Sequence, residues 1–497
     1  MKRMLQNHPG DTVGVVLEEV QRGDRIAAQS RTVLVRETIP FGHKIALQNI
    51  KKGDAVIRFC MQIGIATQDI AAGAQVHVEN LQSALDATKP YRYAPASQQV
   101  HMTKPMIVPP LFCGFPRQDG GVGIRNEIWI LPTVGCVNGV ARKLEKLAQP
   151  LIQGSLDGIY AFPHQFGCSQ RGEDLEMLLH TIAGLAQNPN AGGVLLLGLG
   201  CENSTVEKIR ERIPVQYHSK IVSLKCRDCR DELADGVALL QKMAAEVGGK
   251  TRTLAPISAL RIGLNCGASD SFSGLLANPV LSEVSDGFAN CGAGVILTEL
   301  SELMGSEYQL LQRCCEKQVF QKAAKMFRKQ RQYFARHKET CYTPLSEKAY
   351  REGITTPEEK SMCFAQKGGT SCITGVLEAG EQAQSGLQLL NAPGNDLVST
   401  TLLAACGAQL VLFSTGRGTP FGGPVPTFKL ASNHMLATEK ENWIDWDCGT
   451  LLTQGTVRQM SDQLLQTLML EINGNQKSKN EWNEMREIAI FKNGITH

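Results

Sequence analysis

The chain has 497 residues, 42% of them hydrophobic, with 51 Lys and Arg against 48 Asp and Glu. That length predicts two to four domains, and a net charge of +3 gives no electrostatic footing for nucleic acid or an anionic membrane. No apolar stretch approaches the roughly 18–20 residues that cross a bilayer, and the opening MKRMLQNHPGDTVG lacks the apolar core of a secretory leader. The sixteen cysteines are too dilute for a small disulfide scaffold. The expectation is a cytoplasmic protein with reduced thiols, most of them small buried hydrophobes.

Residues 1–86 read as a small β-rich domain. VGVVLEEV, TVLVRETI and DAVIRF are short β-branched runs, and QRGD, FGHK, KKGD and AAGA between them are turn signals. Residues 87–120 are rich in proline and show neither helical nor strand period, as an extended connector would. From 121 the texture becomes α/β, with one domain over 121–255 and a second over 256–497. IWILPTVGC (128–136), DGIYAFPHQFGCSQ (157–170), VLLLGLGCEN (194–203) and ALRIGLNCGASD (259–270) are buried strands that each end in glycine and cysteine. Helical stretches separate them: Leu175, Leu178, Leu179, Ile182 and Leu185 share one face, and so do Val206, Ile209 and Ile213. Alternation of strand and helix predicts mainly parallel sheets. GAGVILTEL (292–300) and AQLVLFSTGRGTPFGG (408–423) continue the pattern, 303–350 is a charged helical excursion, and NGNQKSKNE near the end is polar.

In open parallel sheets, ligands bind beyond the carboxyl ends of the strands. Those exits carry Cys136 and Asn138; His164, Cys168 and Ser169; Cys201 and Glu202; Cys266, Ser269 and Asp270; Thr298, Glu299 and Glu302; Asn395 and Asp396; Thr415 and Arg417. One such exit is more often packing than ligation; four on one predicted face bring the two readings into balance for at least one of them. Cys226-Arg-Asp-Cys229 has no second pair, and the vicinal Cys314 and Cys315 lie in a charged helical region, so both read as structural. Arg417, with glycine on both sides, is suited to hold a carboxylate bidentately. Thiolate with imidazole and carboxylate suits a divalent transition metal, and oxygen-rich sets suit Mn or Mg. Three separated cysteines could also hold an iron–sulfur cluster with one iron open. No nucleotide-binding G-x-x-x-x-G-K-[ST] and no G-x-S-x-G elbow occurs, and GLGCEN is only superficially a dinucleotide turn.

Taken together, FGHKIAL (41–47), GVGIRNEIWILPTVGCVNG (121–139), HQFGCSQ (164–170), GLGCEN (198–203), CGASD (266–270), ITTPEEKS (354–361), APGND (392–396) and FSTGRGTPFGG (413–423) resemble the altronate/galactarate dehydratase family over essentially the whole chain. The N-terminal domain resembles an SAF (antifreeze-like) domain. The resemblance implies a hydro-lyase that removes water from a sugar acid, with D-altronate giving 2-dehydro-3-deoxy-D-gluconate. It implies Fe²⁺, or Mn²⁺, under reducing conditions. Galactarate dehydratase and a sulfolactate sulfo-lyase share the same body. One departure is visible: Ala268 stands where the family's commoner run, CGGSD, has glycine.

On that resemblance, Cys168, Cys201, Cys266 and Glu299 are expected to supply metal ligands. His43, His164, Asp270 and Glu302 are expected to move protons. Arg417 and Lys367, with Ser169, Asn138 and Thr415, are expected to hold substrate. The expected partner is a small sugar acid, not nucleic acid or membrane, and the expected assembly is a homodimer. The competing readings are an aconitase-like hydro-lyase with an iron–sulfur cluster and a non-catalytic sugar-acid-binding protein. NAD-dependent oxidoreduction is disfavoured by the missing glycine fingerprint.

Overall fold

A computed structural model describes residues 3–6, 8–28, 31–59, 61–86, 88–94, 106–270, 272–342 and 345–493. Of the expected connector at 87–120, residues 87 and 95–105 lie outside the described residues. Within that connector, Leu111–Pro116 is a strand, whose Leu111–Gly114 pair antiparallel with Thr253–Pro256, so its last third belongs to the body. No helix of the described residues is long and apolar enough to cross a membrane.

The N-terminal domain is all antiparallel, built from a four-stranded sheet and smaller two- and three-stranded pieces. Its strands are short because a Gly-containing turn interrupts each apolar run, at Gly23, Gly53 and Gly73, all with positive φ.

The body holds two parallel sheets, whose strands are numbered here in chain order. The first contains β1 (Glu127–Pro132), β2 (Gly158–Ala161), β3 (Ala191–Gly198) and β4 (Ile221–Lys225), in the order β2-β1-β3-β4. The second contains β5 (Arg261–Gly267), β6 (Gly294–Leu297), β7 (Ile373–Leu377), β8 (Gly386–Leu390), β9 (Leu410–Thr415), β10 (Thr427–Ala431) and β11 (Trp446–Asp447), in the order β7-β8-β6-β5-β9-β10-β11.

Strand alternation decides which core each residue enters. Ile128 and Ile130 of β1 face α1 (Asn138–Ala148), whereas Trp129 and Leu131 face α2 (Gly172–Gln187). The α2 core continues without a break into Val398, Leu402 and Leu403 of the helix Asp396–Ala405 and into Ile296 and Val411 of the second sheet. A shared helical layer therefore lies between the two sheets. Asn190, just before β3, donates to the carbonyl of Gln409, just before β9, at 2.8 Å. The strands of both sheets thus start side by side, and both sets of exits leave from the ends away from that junction.

A third helix that positions the site is Pro357–Gln366, begun by the Thr356 side chain accepting from the Glu359 amide. Its Met362 and Cys363 complete the core of the N-terminal domain. Glu359, fully buried, receives Lys44 Nζ at 2.9 Å and the Arg58 guanidinium from that domain.

Candidate active site

The exits of the second sheet open on a cavity of about 290 Å³ whose lining includes Cys266, Glu299, Glu302, Lys360, Asp396 and Arg417. Cys266 ends β5, Glu299 follows β6, Asp396 begins its helix, and Arg417 follows β9. Lys360 and Phe364 come from the Pro357–Gln366 helix, and a strap at 346–354 supplies another wall.

Glu299 is the centre of this arrangement. It is 2% exposed, and its Oε2 accepts from the Cys266 amide at 3.0 Å and from Lys367 Nζ at 3.2 Å. Burial pushes its carboxyl up to about 7; Lys367 pulls against this, while Glu302 and Asp396 add to it. Asp396 is lifted to about 6, again by burial first, with Lys367 opposing and Glu302 assisting. Burial likewise raises the Cys266 thiol. Glu299 at φ 68° and Ala268 at φ 43° hold left-handed backbone without being glycine, a strain that recurs at functional sites.

Of the expected site residues, Cys266, Glu299, Glu302 and Arg417 meet in this cavity. Glu302 pairs with Lys360 at 3.2 Å. Lys367 is fully buried behind Glu299, its ammonium 4.8 Å from the Phe364 ring centroid, so it supports a carboxyl rather than touching substrate. Arg417 is exposed and, among the described residues, has no ion-pair partner.

Other expected roles are corrected by the bonds these groups already make. His164 donates from Nε2 to the Pro132 carbonyl at 2.8 Å and accepts at Nδ1 from the Phe166 amide, so both ring nitrogens are used inside a buried turn. Burial lowers its pKa, which keeps it neutral. Asp270 accepts from the Ser273 amide and hydroxyl, from Ser432 Oγ at 2.7 Å and from Asn433 Nδ2 at 3.0 Å; it staples two loops. Thr415 Oγ1 accepts from the Gly418 amide at 2.9 Å and shapes the turn that presents Arg417. Asn138 donates to the His164 carbonyl at 2.7 Å, and the Ser169 amide donates to Asn203 Oδ1 at 3.1 Å; both fix loops of the first sheet.

His43 lies on the strap rather than in the cavity. Its Nδ1 accepts from Gln75 Nε2 at 2.8 Å and its Nε2 donates to the Arg351 carbonyl at 3.0 Å. His77 stacks on it at 5.1 Å and reaches the Tyr350 carbonyl. The small domain also meets the body at Phe41, whose ring lies 5.1 Å from that of Phe272, just beyond Asp270.

The expected metal set is divided. Cys168 and Cys201 leave the first sheet and are exposed, whereas Cys266 and Glu299 belong to the cavity of the second. The cavity carboxylates suit a cation in charge, but among the described residues no three His, Cys, Asp or Glu side chains converge on one ion. The described residues as placed do not form a single-metal cage.

Lys360 was missed as a site residue by sequence reasoning, and Asp396, named among the strand exits, was given no role. Both stood within quoted runs, APGND and ITTPEEKS. Only the fold shows that a helix start and a helix flank share a cavity with Glu299.

The three parts of the chain match three family models. They are the altronate/galactarate dehydratase SAF domain over residues 2–84, the D-galactarate dehydratase/altronate hydrolase second domain over 114–248, and the D-galactarate/altronate dehydratase C-terminal domain over 257–496. Altronate dehydratase from Bacillus subtilis is 39% identical over all of both chains. Altronate dehydratase from Escherichia coli is 39% identical over 99% of each. The L-threo-forming galactarate dehydratase of Escherichia coli is 28% identical over 98% of this chain and 96% of its own.

Proposed function

The chain belongs to the altronate/galactarate dehydratase family, and from that premise we propose that it dehydrates D-altronate to 2-dehydro-3-deoxy-D-gluconate. The observation that carries the choice of an aldonate is the charge count at the cavity. Lys360 is engaged by Glu302 and Lys367 by Glu299, which leaves Arg417, among the described lining residues, to hold a carboxylate. One unpaired guanidinium suits a substrate with one carboxylate; galactarate carries two.

The reaction removes a weakly acidic proton from C2 and hydroxide from C3. Arg417 grips the C1 carboxylate. Glu299, titrating near neutrality, takes the C2 proton, as a base matched to its working pH should. The Lys367 ammonium stands beside Glu299 and favours its ionised state. Asp396, lifted to about 6, holds a proton part of the time and gives it to the departing hydroxyl, so water leaves. The resulting enol then tautomerises to the keto acid, taking a proton at C3. The strap at 346–354 forms one wall of the cavity.

The requirement for Fe²⁺ or Mn²⁺ is part of the same proposal, as are a homodimer and a cytoplasmic location. The test is keto-acid formation by anaerobically purified, metal-stripped protein, with D-altronate and galactarate in parallel, before and after Fe²⁺. Product from D-altronate is expected. Product from galactarate alone would move the substrate assignment, and product from neither would sink it.

A further inference from the structure

One wall of the cavity takes no part in the reaction steps above. It is the strap, which contributes Ser346, Ala349, Glu352 and Ile354. Its shape follows from its own sequence. Ser346 starts the five-residue helix Glu347–Arg351 by accepting from the Ala349 amide at 3.2 Å. At the other end, the Ile354 amide returns to the Ala349 carbonyl at 3.0 Å and the Gly353 amide to the Tyr350 carbonyl at 3.0 Å, with Gly353 at φ 85°. This paired closure is how a helix stops on a left-handed glycine. A Cβ at position 353 would lie 2.7 Å from the Gly42 carbonyl oxygen of the N-terminal domain, so the turn packs there without a side chain.

The N-terminal domain grips the outer side of the same turn. His77 Nε2 donates to the Tyr350 carbonyl at 3.1 Å, His43 Nε2 to the Arg351 carbonyl at 3.0 Å, and Lys44 Nζ to the Gly353 carbonyl. The carbonyls on either side of Glu352 are therefore both held from behind, and Glu352 itself lines the cavity. Its side chain is 26% exposed, so it stands at the wall rather than out in water.

The charges of the lining leave Glu352 uncommitted. Lys367 serves Glu299 and Lys360 serves Glu302, while Arg417 takes the C1 carboxylate. Lys348, the partner of Glu352, is 60% exposed and 3.7 Å away, a length and exposure at which an ion pair contributes little. Among the described lining residues no cation remains for a second carboxylate.

We propose that Glu352 sets the choice between the two kinds of sugar acid, accepting a hydrogen bond from the C6 hydroxyl of an aldonate and repelling the C6 carboxylate of an aldarate. This rests on the dehydratase reading. A hydroxyl brings a proton to a carboxylate, whereas an ionised carboxylate only accepts, so an aldarate would set two like charges together with no donor between them. Specificity then comes from a penalty on the wrong substrate as much as from a bond to the right one.

The test compares kcat/KM for D-altronate and galactarate in the full-length parent, Glu352→Gln and Glu352→Arg, with Fe²⁺ supplied equally to all three. The ratio of D-altronate to galactarate should fall by about tenfold or more in Glu352→Gln. It should fall further in Glu352→Arg, which adds the missing cation. Galactarate should also inhibit D-altronate turnover more strongly in the same order, a readout that needs no turnover of galactarate. Glu347→Gln alters a carboxylate on the same strap that is 89% exposed and pairs with Arg351; it should keep the parent's ratio. Parent turnover of D-altronate with an unchanged ratio and unchanged galactarate inhibition in both Glu352 variants would overturn the role of Glu352 and leave the dehydratase reading standing. A parent inert toward both acids, or one that prefers galactarate, would overturn the two together.

Discussion

Glu359→Gln is the substitution that most directly probes how the N-terminal domain is fastened to the body. The carboxylate is fully buried and accepts from Lys44 Nζ at 2.9 Å, from the Arg58 guanidinium, and from the Thr355 amide and hydroxyl at 2.9 and 3.0 Å. Burial alone would raise its pKa; Lys44 and Arg58 outweigh burial and hold it at about 2 against an ordinary 4.5. That difference corresponds to on the order of 3 kcal/mol in favour of the folded, ionised form. Lys44 is buried too, and the loss of its water lowers its own pKa, so the pair as a whole contributes less than this. The glutamine variant keeps the cost of burying Lys44 and removes its compensation. A loss of about 3 kcal/mol is expected, localised to the N-terminal domain. Urea unfolding gives the size, and amide exchange of Val13–Val16 and Lys44–Ala46 gives the location. Because the folded pKa is depressed, the contribution is complete above pH 4.5 and disappears as pH falls through about 2. The parent should weaken across that window by more than the variant does. A variant within about 0.5 kcal/mol of the parent, with the same acid profile, would refute the ion-pair account. Adding Lys44→Met to Glu359→Gln should recover part of the loss, since it removes the uncompensated ammonium.

Further outcomes follow from the cavity. With Glu299 as the base, kcat/KM should climb with pH through about 7, because only the ionised carboxylate accepts the proton; Glu299→Gln should remove this limb and roughly 10²–10⁴ of the rate. Arg417→Ala should raise KM by roughly 10–100-fold through loss of a charge-assisted bond worth about 1.5–3 kcal/mol, and Arg417→Lys should restore it only partly; an unchanged KM would remove Arg417 from the substrate. Ala268→Gly should stabilise the fold by about 0.5–1 kcal/mol: relief of left-handed backbone contributes roughly 1–2 kcal/mol, and the freer unfolded chain takes back about 0.4–1. A thermal midpoint lower than the parent's would show that φ 43° at Ala268 carries no strain.

The strand exits were legible because their signal is local: an apolar run meets glycine, which weakens a strand interior, with a cysteine beside it. What the sequence does not encode locally is which exits share a sheet. β5 pairs with β6 and β9, and β1 lies between β2 and β3, so a metal set drawn from all exits mixed two sites. Residue type was also misleading where a polar group serves its own loop. His164 and Asp270 carry the right chemistry for proton transfer, and the turn and the staple they form consume it. Conversely, Lys367 was expected at the substrate carboxylate, and its position behind Glu299 depends on a helix end that only packing places.

The ten-residue helix Pro357–Gln366 has a consequence for how the protein becomes active. One stripe of it, Glu359, Met362 and Cys363, belongs to the N-terminal domain; another, Lys360 and Phe364 with Lys367 at its end, belongs to the cavity. Neither stripe can be settled alone. The N-terminal domain emerges first from the ribosome and must wait for a helix made more than two-thirds of the way along the chain to close its core. Until that happens, Glu299 lacks a properly seated ammonium. Completion of the small domain and ignition of the catalytic centre are thus a single late event, and a chain cut short before that helix is left without both.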